Sequence, residues 1–201
     1  MGSRVMHSII AYQLAAKFRC ENKASFVIGG IAPDAVTYKD RSHFYTGDVE
    51  DHSREIDYEG FRGKYASRQH TPFITGYAAH LIADDLWLQG FYLPWLKNRL
   101  TADPSLHEAY HRDFRRLNAQ LIHHYNLKEE FTHLLREVFD YVEIEEVSRV
   151  ELEEFLPLLR GDLDYDPIDI QQPLSVFTLP QIIGYMETSI EIAGQKLRIG
   201  V

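Results

Sequence analysis

His80 and Asp84 are the residues of this chain whose types and spacing most directly indicate chemistry. They lie four residues apart in GYAAHLIADDLW, a segment whose apolar content and lack of proline predict a helix. The i,i+4 spacing puts both side chains on one face, and the aromatic residues around them predict that this face points into the core. A buried carboxylate is costly unless a charge or a donor compensates it. The pair therefore predicts either a shared divalent cation or a buried His–Asp hydrogen bond.

Three more residues extend this pair. His7 lies within MHSIIA in the first apolar stripe, Asp34 follows the turn GGIAP, and His43 lies in SHFY. Imidazole and carboxylate together suit zinc and similar divalent ions. Three His and two Asp exceed the needs of one tetrahedral zinc, and they would suit two ions bridged by a carboxylate. The alternative for each is structural, with His7 a satisfied core residue and Asp34 a helix cap, and spacing alone does not decide between them.

Composition limits the class of protein. The chain has 201 residues, 45% of them hydrophobic and 25% charged, as expected for one globular domain. A formal net charge of −9 disfavours nucleic acid and anionic membranes as partners. No apolar run reaches the roughly 18 residues that a transmembrane helix needs. The N-terminal pattern does not resemble a signal peptide, so we expect a cytoplasmic protein. The one cysteine, Cys20, excludes an internal disulfide.

Periodicity predicts an all-α protein made of one helical domain over residues 1–201. Long irregular loops are often functional, and residues 31–71 form such a segment by composition. We expect helices or short apolar segments at 5–18, 22–29, 72–100 with a kink near Gly90 and Pro94, 104–125 with Asp103 as N-cap, 127–141, 145–156 and 179–197, and a loop at 159–180.

The order of these motifs resembles a known family. His7, Gly30-x-x-Pro33-Asp34, SHFY around His43 and His80-x-x-x-Asp84 look like the zinc-dependent phospholipase C family of bacteria, which is similar to the single-strand-specific zinc nucleases of fungi. The resemblance covers about residues 1–120. It implies a single-domain helical bundle with a zinc cluster on its inner face. It also implies that these five residues hold an Asp-bridged pair of metals, which activates water and holds a phosphodiester.

The chain departs from the family pattern at two places. In the secreted phospholipases the mature N-terminal amine and carbonyl bind one metal, whereas this chain begins Met1-Gly2-Ser3, so we expect that ligand to be missing or replaced. A further family His, a few residues after the central helix motif, has no counterpart here. His107 and His111, with Asp113, could rebuild a third metal site, or they form a solvated helix face. Asp113 and Asn118 could instead support the ligands.

These observations predict a metal-dependent hydrolase of phosphate esters, with a phosphodiester as the first expectation. One or two Zn²⁺-class ions held by His7, Asp34, His43, His80 and Asp84 would activate water, and Asp34 could assist as general base. Tyr45 or Trp87 could line the pocket. The resemblance implies a phospholipid head group, and a soluble phosphate ester is at least as plausible. The alternative is a non-catalytic helical protein with a structural metal site or a buried His–Asp core.

Overall fold

The all-α fold class is confirmed by a computed structural model, which describes residues 3–197. The N-terminal position that binds a metal in the secreted phospholipases involves Met1 and therefore lies outside the described residues. The α-helices are α1 (Arg4–Lys17), α2 (Lys23–Ile31), α3 (Lys39–Ser42), α4 (Tyr58–Lys64), α5 (Pro72–Trp87), α6 (Lys97–Ala102), α7 (Leu106–His124), α8 (Lys128–Leu134), α9 (Arg149–Asp162) and α10 (Leu179–Lys196). Short 3₁₀ segments lie at Ala32–Ala35, Ala66–Arg68 and Pro167–Gln171.

Side-chain caps explain where several of these helices begin. Ser3 accepts a hydrogen bond from the backbone N–H of Met6 at the start of α1. Asn22 does the same for α2, through the N–H of Ser25. Capping boxes open α9 and α10, with Ser148 and Thr178 as the capping residues. Each of these caps satisfies backbone donors that a helix N-terminus otherwise leaves unpaired.

The centre of the molecule is formed by α1, α2, α5 and α10, which pack on one another. The contact between α2 and α5 requires glycine. A Cβ on Gly29 would lie 2.0 Å from the carbonyl oxygen of Phe73, and a Cβ on Gly76 would lie 2.0 Å from that of Phe26. Since neither carbonyl can move without its helix, the two backbones touch only because both positions lack a side chain.

The segment 31–71 is more ordered than expected. It contains α3, α4 and a two-stranded antiparallel ladder of β1 (Tyr45–Thr46) and β2 (Glu55–Ile56), in which Tyr45 pairs with Ile56. Helix α3 has a single turn, which is too short for a periodic apolar pattern to predict. The expectation of an irregular region was therefore wrong in part.

The long helix expected at 72–100 is interrupted where Gly90 and Pro94 predicted a kink. Residues Leu88–Leu96 form a π-helix between α5 and α6. Proline has no backbone N–H and disturbs the regular α-helical ladder, and a π-helical stretch accommodates that disturbance without ending the helix.

In the C-terminal half, the observed helix ends differ more from those expected from the sequence. Helix α7 begins at Leu106, and Asp103 accepts a hydrogen bond from the N–H of Ser105 in the preceding turn instead of capping the helix. Helix α8 ends at Leu134, and α9 spans Arg149–Asp162, beyond the loop start expected at residue 159. Helix α10 lies where it was expected. None of the described helices is long and apolar enough to cross a membrane.

Candidate metal centre

His80 and Asp84 lie one turn apart on the buried face of α5, as their spacing predicted. Their residues are 2% and 0% exposed. The aromatic residues Phe73, Tyr77 and Trp87 of the same helix are each 0% exposed. The face that carries the two candidate ligands therefore points into the core, which confirms the sequence interpretation of this helix.

The close packing of α2 on α5 orients His80. Its Nδ1 lies 2.8 Å from the carbonyl oxygen of Gly30. A carbonyl oxygen only accepts, so Nδ1 of the neutral ring donates its proton and Nε2 keeps a lone pair. Burial lowers the pKa of His80, and the neighbouring His7 lowers it further. The side chain thus presents a neutral Nε2 donor atom, the form that binds a metal.

His43 is oriented in a similar way at the end of α3. Its Nδ1 lies 3.1 Å from the carbonyl oxygen of Lys39 and 2.9 Å from Ser42 Oγ. That hydroxyl donates its one proton to the carbonyl of Pro33 at 2.8 Å, so it accepts from His43. Burial lowers the pKa of His43 and outweighs the raising effect of the nearby Asp84 carboxylate. His43 therefore also turns an unprotonated Nε2 toward the centre of the cluster.

Three potential ligand atoms form a triangle. His43 Nε2 lies 3.2 Å from His80 Nε2 and 3.3 Å from Asp84 Oδ2, and His80 Nε2 lies 3.6 Å from Asp84 Oδ2. Zinc bonds of roughly 2.1 Å in a tetrahedral site place neighbouring ligand atoms about 3.4 Å apart. The triangle therefore has the size of one face of a zinc coordination tetrahedron.

His7 lies on the other side of Asp84. Its Nε2 is 3.3 Å from Asp84 Oδ1, and its ring stacks on that of His80 with 3.7 Å between centroids. His7 is 1% exposed, and its Nδ1 has no hydrogen-bond partner in the part of the chain that the structure describes. Asp84 thus turns one oxygen toward His43 and the other toward His7, which is the arrangement of a carboxylate able to bridge two ions.

Asp34 completes the cluster from the 3₁₀ turn after α2. Its Oδ1 lies 3.7 Å from His43 Nε2 and 3.0 Å from Lys39 Nζ. Ligand atoms of His7, Asp34 and His80 lie within 4.8 Å of one another, as do those of His43, His80 and Asp84. Burial raises the pKa of Asp34, but neighbouring positive charge, including that of Lys39, outweighs burial and holds this pKa well below its usual range. All five residues chosen from the sequence therefore lie in one cluster.

The residue types of the cluster are those that could hold a cation. Burial opposes ionisation of Asp84, yet neighbouring positive charge outweighs burial and keeps the pKa of this carboxyl well below its ordinary value. Two carboxylates and three imidazoles in a buried site supply the oxygen and nitrogen ligands that zinc and similar ions take. The ring orientations of His43 and His80 leave lone pairs pointing at one another, which a positive ion between them would relieve.

A cavity of about 290 Å³ opens beside the cluster at Asp34. Its lining includes Arg4, Asp34, Lys39, His111, Arg115 and Asn118. Trp87, one of the residues expected to line the pocket, is fully buried among other aromatic rings and does not line this cavity. Tyr45 stacks on His43 with ring centroids 5.5 Å apart and supports that imidazole; it is not among the residues that line the cavity. Burial raises the pKa of Tyr45, so its hydroxyl stays protonated.

The residues considered for a third site have other positions. His107 and His111 are both exposed on α7. Among the described residues, neither belongs to a group of potential ligand atoms close enough together to hold a metal ion. Asp113 is buried, and its carboxylate accepts hydrogen bonds from the backbone N–H groups of Ser175, Val176 and Phe177. Asp113 therefore anchors the loop before α10. Asn118 lines the cavity beside the cluster.

The supporting residues were missed by sequence reasoning. The carbonyl of Gly30 orients His80, and the hydroxyl of Ser42 orients His43. The ammonium of Lys39 holds the carboxylate of Asp34. Only the placement of Gly30 and Ser42 within the family-like motifs indicated a role. The carbonyl contacts themselves leave no signal in a sequence, because every residue has a carbonyl.

The chain matches no protein-family model, no curated protein and no solved structure. Its resemblance to the zinc-dependent phospholipase C family consequently stays a prediction from the order and spacing of its motifs.

Proposed function

We propose that this protein is a metal-dependent hydrolase of phosphate esters, with a phosphodiester as its first substrate class. The observation that carries the proposal is the triangle of His43 Nε2, His80 Nε2 and Asp84 Oδ2, whose edges fit one face of a tetrahedral site. His7 and Asp34 extend the donor set enough for one or two Zn²⁺-class ions. The proposed location is the cytoplasm.

The cavity favours a catalytic over a structural metal. Structural zinc sites are closed by four protein ligands, whereas catalytic sites keep a position open for water or substrate. Asp34 belongs both to the cluster and to the lining of the cavity of about 290 Å³. A small molecule in that cavity would therefore reach the cluster at Asp34.

The protein residues have distinct roles in this proposal. Divalent ions of this class activate water and offset negative charge on the oxygens of a phosphate ester. Asp34 remains ionised near neutral pH and faces the cavity, so its carboxylate can accept a hydrogen bond from the attacking water and orient it. Lys39 donates to Asp34 Oδ1 and to its backbone oxygen, which holds the carboxylate in place. Burial of His7, His43 and His80 keeps bulk water away from the ligand atoms.

Metal content and turnover test the proposal together. Protein purified without an affinity tag is analysed for bound metal, and hydrolysis of a chromogenic phosphodiester and a phosphomonoester is followed before and after chelation. One to two equivalents of metal with chelator-sensitive turnover is the expected result. Bound metal without turnover of either ester would favour a structural site. Absence of metal even after reconstitution would favour a buried His–Asp core and overturn the proposal.

A further inference from the structure

The cavity beside the metal cluster carries more positive than negative charge. Arg4, Lys39 and Arg115 line it, against the carboxylates of Asp34 and Asp162. The whole chain has a formal net charge of −9, so the excess of positive side chains in the cavity is opposite in sign to the charge of the protein as a whole. Low-dielectric walls focus such a local field and favour the entry of anions.

Two of the three cations already have carboxylate partners. Arg4 Nη2 donates to Asp162 Oδ1 at 3.2 Å, and Lys39 Nζ lies 3.0 Å from Asp34 Oδ1. Arg115 is exposed at the cavity and makes no ion pair or hydrogen bond within residues 3–197 that the structure shows. Its guanidinium therefore has its full set of donors available to a ligand. Guanidinium binds phosphate and carboxylate through paired N–H groups.

The acidic residues of the lining do not offset this guanidinium. Asp34 lies 3.0 Å from Lys39 Nζ, and Asp162 accepts from Arg4 and hydrogen-bonds the side chain of Asn118. The cavity thus offers the guanidinium of Arg115 to an anion.

From these features we infer that the cavity binds a second phosphate group of the substrate. The inference rests on the proposed phosphoesterase function, because it places this phosphate next to the ester held at the metal cluster. A cationic head group such as choline is disfavoured, since it would meet Arg115 and Lys39. The substrate class becomes a phosphate ester with an additional phosphomonoester.

The first test measures anion binding without the metal centre. Inorganic phosphate is titrated calorimetrically into chelator-treated wild-type protein, Arg115→Gln and the control Arg112→Gln. Arg112 lies on α7 three residues from Arg115 and is not part of the cavity lining. We expect wild type and the control to bind phosphate, and Arg115→Gln to bind it at least tenfold more weakly. No binding by wild type, or equal binding by Arg115→Gln, would overturn the inference.

The second test asks whether the phosphate belongs to the substrate. Thymidine 5′-phosphate and thymidine 3′,5′-bisphosphate differ only in the second phosphate, and both are titrated into the protein as purified. Wild type and Arg112→Gln should bind the bisphosphate at least tenfold more tightly, and Arg115→Gln should lose this preference. Binding of inorganic phosphate with no preference for the bisphosphate would mean that the cavity takes free phosphate only, which contradicts the inference.

The two proposals fail in different experiments. If the proposed function is wrong, the protein lacks bound metal or does not hydrolyse the chromogenic esters. The phosphate titration depends on neither metal nor turnover, so it tests the cavity separately. Arg115 is an exposed helix residue, so the unfolding midpoint of Arg115→Gln should match that of the control and exclude a folding defect.

Discussion

The Nε2 atoms of His43 and His80 lie 3.2 Å apart, although His43 directly follows α3 and His80 lies in α5. Carbonyl oxygens of Lys39 and Gly30 face the Nδ1 atoms of these rings and keep their protons there. Two lone pairs then point at one another next to the Asp84 carboxylate. A cation between them removes the repulsion, which gives the cluster a physical reason to hold a metal.

Replacing His80 removes one corner of the ligand triangle. We expect His80→Ala to lose tight metal binding and to reduce phosphoesterase turnover to background. The measurement is metal content by mass spectrometry, together with turnover at saturating ester. His123→Ala is the matched control, since His123 is exposed on α7 outside the cluster. Turnover by His80→Ala after complete metal removal would show that the cluster is not catalytic.

Chelation should destabilise the protein. Binding that is specific for the folded state stabilises it by about 4 kcal/mol when free metal exceeds Kd about 1,000-fold. For a chain of this size the unfolding midpoint should fall by about 10 °C after chelation and recover on adding back zinc. His80→Ala should show almost no shift under the same treatment. If the unfolding midpoint of the wild type changes with neither chelator nor added zinc, the buried cluster does not hold a metal.

The positions of His80 and Asp84 could be predicted because one helix with a strong apolar pattern carries both. Fixed periodicity relates residues within one helix, and it says nothing about how distant segments meet. The convergence of His7, Asp34 and His43 on that helix was therefore expected from the resemblance rather than from spacing.

Other features left no usable pattern. The single turn of α3 and the two-residue strands are too short to show periodicity. The cationic cavity joins Arg4 of α1, Lys39 of α3 and Arg115 of α7, which are far apart in the sequence and look like ordinary surface charges. The helix ends near Asp103 and residue 159 were misplaced by a few residues, because helix ends fray and an apolar pattern does not fix the terminal residue.

Glycine at position 76 should be essential to the site. A Cβ there meets the Phe26 carbonyl oxygen at 2.0 Å, so Gly76→Ala must separate α2 from α5 and move Gly30 away from His80. We expect a loss of at least about 2 kcal/mol in unfolding free energy, measured by denaturant titration, and weaker metal binding.

Gly184→Ala is the control for this substitution. A Cβ at Gly184, within α10, meets nothing within 4 Å. Alanine is a better helix former than glycine, so this variant should gain about 0.5–1 kcal/mol. Equal effects of the two substitutions would show that the α2–α5 contact is not as close as the backbone geometry requires.

Asp113 should matter for stability and not for metal content. Its Oδ1 accepts from the N–H of Ser175 at 2.9 Å, and its Oδ2 accepts from those of Val176 and Phe177 at 2.6 and 3.2 Å. Asp113→Asn replaces one oxygen by a donor that faces other donors. Since hydrogen bonds to a charged group contribute about 1.5–3 kcal/mol each, we expect a loss of about 2–3 kcal/mol in denaturant titration, with metal stoichiometry unchanged.

Asp164→Asn separates this anchoring role from a general effect of removing an acidic charge. Asp164 is exposed just after α9 and should tolerate the change within about 0.5 kcal/mol. The Asp113 variant would also loosen the loop that precedes α10, so proteolytic cleavage near Ser175 should become faster in that variant alone. A drop in bound metal in Asp113→Asn, at unchanged stability, would instead support a third metal site on α7 and contradict the anchoring role derived from its backbone contacts.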